Sequence, residues 1–115
     1  MKRLDIIIRP EKLELLKTIL NKANVGGITM VSAMGCGTQK GQTDISSFKG
    51  LQVSSLNLIP KVMATVVVSD EIVDELLAII HTELSTGKVG DGKVFISTID
   101  DAMRIRTGER GKKSL

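Results

Sequence analysis

Val62-Met-Ala-Thr-Val-Val-Val-Ser-Asp-Glu-Ile-Val-Asp-Glu-Leu-Leu-Ala-Ile-Ile-His-Thr-Glu-Leu84 decides the fold. Its first seven residues are β-branched and apolar, with Val66-Val67-Val68 at the centre, and predict a strand. Ser69-Asp70 then offers an N-cap, and Ile72, Leu76, Leu77 and Ile80 recur at helical spacing to about Leu84. A glycine turn follows, and Val94–Ile99 predicts another strand. This is one βαβ unit. The N-terminal half repeats the order. Leu4–Ile8 predicts a strand buried on both faces, and Pro10 suits the first turn of a helix. Leu13, Leu15, Leu16, Ile19 and Leu20 mark a helix over residues 11–23, which Asn24 and Gly26-Gly27 stop before a strand over Ile28–Met34.

Between the halves, Gly35–Ile59 is rich in Gly, Ser, Gln, Thr and Lys and predicts a long loop that Pro60 closes. After the second half, Asp100-Asp101-Ala102 turns the chain, Met103–Thr107 predicts a short extra strand, and Gly108–Leu115 reads as a loosely held tail. The element order predicts one α+β domain over residues 1–115, a ferredoxin-like double βαβ sandwich.

Composition narrows the function. The chain has 115 residues, 42% hydrophobic and 25% charged, as in ordinary globular domains. No run approaches the roughly eighteen apolar residues of a membrane helix, and the first residues lack the pattern of a signal peptide. The single Cys36 excludes an intrachain disulfide and suits a reducing cytosol. With the single His81 it makes no Cys/His metal set. Cys36 reads as a small apolar residue at the loop root, and His81 as a group suited to a helix C-terminus. Net charge is +3, with Arg104, Arg106, Arg110, Lys112 and Lys113 late in the chain. Phe48 and Phe95 are the only aromatic residues, which argues against a module that stacks single-stranded bases.

Thr86-Gly-Lys-Val-Gly-Asp-Gly-Lys93 carries the chemistry. Its glycines let backbone amides approach an anion, and Lys88 and Lys93 flank them. The stretch matches most of a P-loop, but Val94 replaces the hydroxyl residue, and a helix precedes it where a strand should. A P-loop kinase or ATPase is therefore rejected. On the expected strand Arg104 and Arg106 share one face while Met103 and Ile105 face the core. Two guanidinium groups on one face suit a polyphosphate; the plain alternative is a solvated edge with a solvated glycine turn. Asp91 suits fixing the turn better than acting as a base. No nucleophile, base and orienting group stand together, so no enzyme is expected. The alternatives are an ATP-hydrolysing or nucleotidyl-transfer enzyme, a ferredoxin-like nucleic-acid-binding module, and an amino-acid-sensing domain of the same fold.

Residues 86–95 and Arg104-Ile-Arg-Thr-Gly-Glu-Arg-Gly111 resemble the two signature segments of the PII nitrogen-regulatory signal proteins. Gly35-Cys-Gly-Thr-Gln-Lys-Gly41 resembles the root of that family's T-loop and Pro60-Lys61 its return, with the match running from Met1 to about Gly111. The resemblance implies a cytoplasmic homotrimer in which ATP and ADP compete for clefts between subunits. It implies a T-loop over 36–59, a glycine-rich B-loop over 85–93 and a C-terminal segment over 103–115. Gly90, Gly92, Lys93, Arg104 and Arg106 would hold phosphates, with Asp91 also in the nucleotide-binding set. Thr29, Gly35, Gly37, Thr38 and Val67 would line the rest. Gln39 would help hold magnesium with ATP, and Gly37, Gln39, Lys40, Gly41 and Lys61 would take 2-oxoglutarate. The T-loop would regulate an ammonium channel, transporter or nitrogen-assimilation enzyme, with no nucleic-acid partner and a membrane reached only through a partner. Phe48, Leu51 and Val53 are the expected docking residues on that loop. Thr38 stands where the family usually has an arginine, and Thr65 where a glutamate is common. Both bear on the balance of ATP, ADP and 2-oxoglutarate. The chain has no tyrosine, so tyrosyl modification is impossible, and Ser46, Ser47, Ser54 and Ser55 are the loop serines open to phosphorylation.

Overall fold

The computed structural model describes residues 1–37 and 58–115. Among them run β1 (Lys2–Ile8), a 3-10 turn (Pro10–Lys12), α1 (Leu13–Lys22), β2 (Thr29–Gly35), β3 (Ile59–Val68), a second 3-10 turn (Asp70–Ile72), α2 (Val73–Leu84), β4 (Lys93–Thr98) and a last 3-10 turn (Gly111–Ser114). The strands form one sheet in the order β2-β3-β1-β4, every neighbouring pair antiparallel. This is the expected ferredoxin-like arrangement. The long connection joins β2 to β3, which pair from Thr29↔Thr65 to Gly35↔Ile59.

One core explains why both helices lie on the same side. Leu4, Ile6 and Ile8 of β1 and Ala64, Val66 and Val68 of β3 point into a single cluster with Leu16, Ile19 and Leu20 of α1 and Val73, Leu76, Ile80 and Leu84 of α2. Fully burying one such leucine stabilises the fold by roughly 1.5–3 kcal/mol. With both helices on one face, the other stays uncovered within the chain. β1 therefore alternates and is not buried on both faces: Arg3, Asp5 and Ile7 occupy the open side. α1 ends where Asn24 takes a positive φ of 55°, with the Val25 amide bonded to the Leu20 carbonyl at 3.0 Å.

The boundaries shift for local reasons. Pro60 does not close the loop; it lies inside β3 opposite Met34, beyond Val62, where pairing with β1 ends. A proline is tolerated there because that side of the strand has no ladder to lose. Ser69 makes no side-chain cap, and the 3-10 turn after it delays the helix to Val73. Ile72 and Leu77 are only partly buried, and Val73 and Leu84 take the deeper places.

The end of the chain departs most from expectation. No strand forms over Met103–Thr107; one bridge, Met103↔Arg110, closes a turn. Met103 and Ile105 do not face the core, Ile105 being 92% exposed. The chain reverses because Gly108 and Gly111 adopt φ of 72° and 66°, with the Gly108 amide bonded to the Arg104 carbonyl at 2.8 Å. The Asp101 carboxylate then accepts from the Ala102 amide (2.8 Å), the Gly111 amide (3.0 Å) and Arg110 Nε (2.7 Å). The tail is docked, not loose: Lys112 Nζ meets Glu71 at 2.9 Å, and the Leu115 backbone lies against Gly26.

Two outcomes follow. A Cβ on Gly92, at φ +112°, would stand 1.8 Å from the Ile7 carbonyl oxygen, a backbone atom that cannot step aside. Gly92→Ala is expected to cost about 3 kcal/mol or more in urea unfolding, and a loss under about 0.5 kcal/mol would refute the close approach. The hydrogen bond from Lys112, helped by the Glu71 backbone amide and the Ser69 hydroxyl, holds Glu71 down at about 2, from an ordinary 4.5. Because the folded value is the lower one, the tether is present above the ordinary glutamate range and lost as pH falls through about 2. A carbon-13 titration of the Glu71 carboxyl should show that low midpoint and move upward in Lys112→Ala. An ordinary midpoint in the unsubstituted chain would remove the tether.

Candidate functional site

Antiparallel pairing gathers cations at one end of the sheet. β1 runs out near the start of β3 and at the start of β4, with Ile8↔Val62 and Ile7↔Lys93 as the last pairs. Arg9, Lys61 and Lys93 therefore come from three distant parts of the sequence to one edge. The glycine loop between α2 and β4 arrives at the same edge.

That loop is shaped from within. Gly87, Gly90 and Gly92 hold φ of 77°, 98° and 112°, values that side chains rarely accept. Asp91 clamps it: its carboxylate accepts from the Thr86 amide (2.8 Å), the Gly87 amide (3.1 Å) and the Thr86 hydroxyl. The Thr86 hydroxyl bond, the Thr86 and Gly87 amides and the nearby Arg9 charge depress the Asp91 pKa against a small burial cost. An ionised carboxylate bound to its own loop is a turn-fixing group, as its place in the sequence suggests.

The Gly90 carbonyl is the meeting point. It accepts from Lys61 Nζ at 2.6 Å and from Arg9 Nε at 3.1 Å, and Arg9 Nη2 reaches the Val89 carbonyl at 2.7 Å. Arg9, Pro10, Glu11, Ile59, Pro60, Lys61, Val89 and Gly90 bound a cleft of about 390 Å³. A Cβ on Gly90 would fall 2.7 Å from Arg9 Nη2, so the glycine keeps room for the guanidinium. Two cations converge on one neutral carbonyl, and a carboxylate or phosphate is the better acceptor for both. Arg9 escaped the sequence reading. A cation directly after a buried strand and before Pro10 looks like ordinary punctuation until the register brings it to Lys61.

The remaining expected residues are spread more widely. Thr29 and Val67 lie on the open face, Thr29 opposite Thr65 and Val67 opposite Arg3. Gly35 ends β2, where an added Cβ would press on Lys61 at 3.3 Å. Gly37 and Cys36 follow it, and Cys36 is exposed rather than packed. Lys93 is exposed, its Nζ 5.9 Å from the Phe95 ring centre. Arg104 and Arg106 do not share a strand face. Arg104 reaches Glu109 at 3.5 Å and the Leu115 carbonyl at 3.1 Å, while Arg106 is exposed in the turn. Among the described residues no hydrogen bond joins either arginine to the glycine loop. Thr38, Gln39, Lys40, Gly41, Phe48, Leu51 and Val53, with the four loop serines, lie outside the described residues. Among the described residues no three His, Cys, Asp or Glu side chains gather as metal ligands, and no helix is long and apolar enough to cross a membrane.

Thr65 repays its unusual identity. Its hydroxyl donates to Asp5 Oδ1 at 2.6 Å, and Arg3 Nε donates to the same oxygen at 3.1 Å. The Thr65 bond is the main cause of a lowered Asp5 pKa, opposed by partial burial and aided by Arg3. A carboxylate in place of Thr65 would face Asp5 directly across the strand pair.

A family model described as nitrogen regulatory protein P-II matches residues 1–109. The chain is 44% identical to nitrogen regulatory protein P-II 2 of Methanothermobacter thermautotrophicus, over 100% of this chain and 97% of that protein. It is 41% identical to nitrogen regulatory protein P-II of Porphyra purpurea over the full length of both. Against the protein of that name from Rhodospirillum rubrum it is 40% identical over 96% of each. The sheet order, the docked glycine loop and these full-length matches together place the chain in the nitrogen regulatory protein P-II family.

Proposed function

We propose that this chain senses adenine nucleotide and 2-oxoglutarate and reports their levels to a protein partner of nitrogen metabolism. Membership of the family makes it a nitrogen regulatory protein rather than an enzyme. The single observation that carries the finer proposal is the convergence of Arg9 and Lys61 on the Gly90 carbonyl, beside Lys93 and a loop of positive-φ glycines.

In this scheme the later amides of the loop, Val89 to Gly92, and Lys93 receive the phosphates of ATP or ADP. Thr29, Gly35, Gly37 and Val67 line the rest of the nucleotide. Lys61 and Arg9 exchange a neutral carbonyl for a carboxylate of 2-oxoglutarate. The cations already make charge-assisted bonds to the carbonyl, and a carboxylate adds charge on the acceptor side, so the exchange is favourable. Magnesium, when it accompanies ATP, would be held by Gln39 and neutralise phosphate charge. Lys61 stands where β3 leaves the long connection, so its change of partner acts on that connection's root. A differential affinity worth roughly 1–3 kcal/mol gives a 5- to 150-fold change in partner binding. Phe48, Leu51 and Val53 supply the docking surface.

In the same proposal Arg104 and Arg106 join the site across the open sheet face. It carries Ile7, Val31, Met63, Val67 and Phe95, with Val31 46% and Phe95 53% exposed. Three copies packed on this face form the homotrimer, and each supplies its arginines to a neighbour's glycine loop.

Calorimetry tests the ligands. The chain is expected to bind ATP and ADP below the millimolar range, with Lys93→Ala weakening both about tenfold or more. Lys61→Ala should leave ADP binding within about threefold while abolishing the response to 2-oxoglutarate with ATP and magnesium. Absence of nucleotide binding would refute the proposal, and an intact 2-oxoglutarate response in Lys61→Ala would refute the role of that lysine. Light scattering tests assembly: the mass should be three chains, and Phe95→Asp, which sets a second carboxylate opposite Asp5, should shift it toward one chain without loss of helicity. A single-chain mass for the unsubstituted protein would reject the trimer.

A further inference from the structure

Arg104 is already occupied by its own tail. Nη2 donates to the Lys113 carbonyl at 3.3 Å and to the Leu115 carbonyl at 3.1 Å, and Nη1 meets Glu109 at 3.5 Å. Both N–H groups of Nη2 are thereby used. That edge of the guanidinium is the one a phosphate would take in a forked pair. A phosphate and the tail cannot hold it together.

The tail that holds Arg104 is built to come away. Its tether to the body is Lys112 with Glu71 at 2.9 Å, and both side chains are 66% exposed. Exposed pairs of this kind contribute little and are screened by salt. The Gly111 amide bonds to the Ala102 carbonyl at 2.9 Å, and the Ser114 hydroxyl closes the last turn on the Gly111 carbonyl at 2.6 Å. Gly108 and Gly111, both at positive φ, sit where the segment would pivot. The acceptors offered to Arg104 are two single main-chain oxygens on a segment whose side-chain tether is one exposed pair, whereas a phosphate offers a forked, charged acceptor. Closure is therefore reversible, and a phosphate has the stronger claim.

We infer, resting on the phosphate role proposed above for Arg104, that residues Gly111–Leu115 act as a tethered competitor for its guanidinium. The tail docks when no phosphate is bound and is released when one arrives. Nucleotide affinity is lowered by the fraction of time the tail is docked, and binding frees Lys112 from Glu71.

The test uses the whole chain, a Glu71→Gln variant that loosens the tether on the surface, and a variant ending at Gly111, each titrated with ADP by calorimetry. The variant ending at Gly111 is expected to bind ADP about 3- to 10-fold more tightly than the unsubstituted chain, and Glu71→Gln about 2-fold more tightly. Hydrogen exchange should show the amides of residues 112–115 losing protection when ADP is added, and lacking it without ligand in Arg104→Ala. Equal or weaker binding in both variants, or a tail further protected by ADP, overturns the competition and makes the contact a fixed brace. If the unsubstituted chain and both variants all fail to bind ADP, the nucleotide proposal itself falls and this one with it.

Discussion

The Gly90 carbonyl oxygen is where three separate pieces of the chain are fastened together. Arg9 comes from the end of the first strand, Lys61 from the start of the third, and Gly90 from the glycine loop. None of the three would meet the others without the antiparallel register of β1 with β3 and β4. The contact is also an electrostatic compromise. Two positive side chains share an uncharged acceptor, and their mutual repulsion is relieved by the dipoles of Val89 and Gly90 and by the nearby Asp91 carboxylate. An anion entering the adjoining cleft meets a site whose cations are already placed.

The sheet supplies the rigidity this requires. Its helix side is a continuous apolar cluster, and its other side presents rows set by the pairing register. One row runs Thr29, Thr65, Asp5, Phe95, polar at one end and aromatic at the other. Asp5 is kept ionised there by the Thr65 hydroxyl and by Arg3. A charged, hydrogen-bonded carboxylate within an apolar surface favours particular orientations of whatever packs on it over a general greasy contact.

The order of the two βαβ units, the buried residues of α1 and the turn-forming character of the glycine loop were legible in the sequence. They depend on local periodicity and on the backbone freedom of glycine. What escaped was set by distance or by local reversal. Arg9 takes its meaning from a partner eighty-one residues away, which no window of sequence contains. The alternation Met103, Arg104, Ile105, Arg106 reads as a strand, yet Gly108 and Gly111 turn the chain back before a ladder can form. Burial of β1 on both faces was expected from composition alone, whereas the open face follows from both helices choosing one side. The residues expected to bind magnesium, and those expected to dock partners, fall within 38–57 and so lie outside the described residues.

β2 and β3 continue to pair after β1 has stopped, through Ala33↔Lys61, Met34↔Pro60 and Gly35↔Ile59. These three rungs form a two-stranded spur beyond the four-stranded body. Among the described residues no further strand pairs with this spur, and Pro60 gives it no amide with which to recruit one. It is the portion of the sheet that can splay or rotate without disturbing the apolar cluster beneath the helices. Lys61 occupies the first rung past the junction, so a pull on its ammonium group is delivered at the fulcrum of that lever, where a small displacement becomes a larger swing farther out.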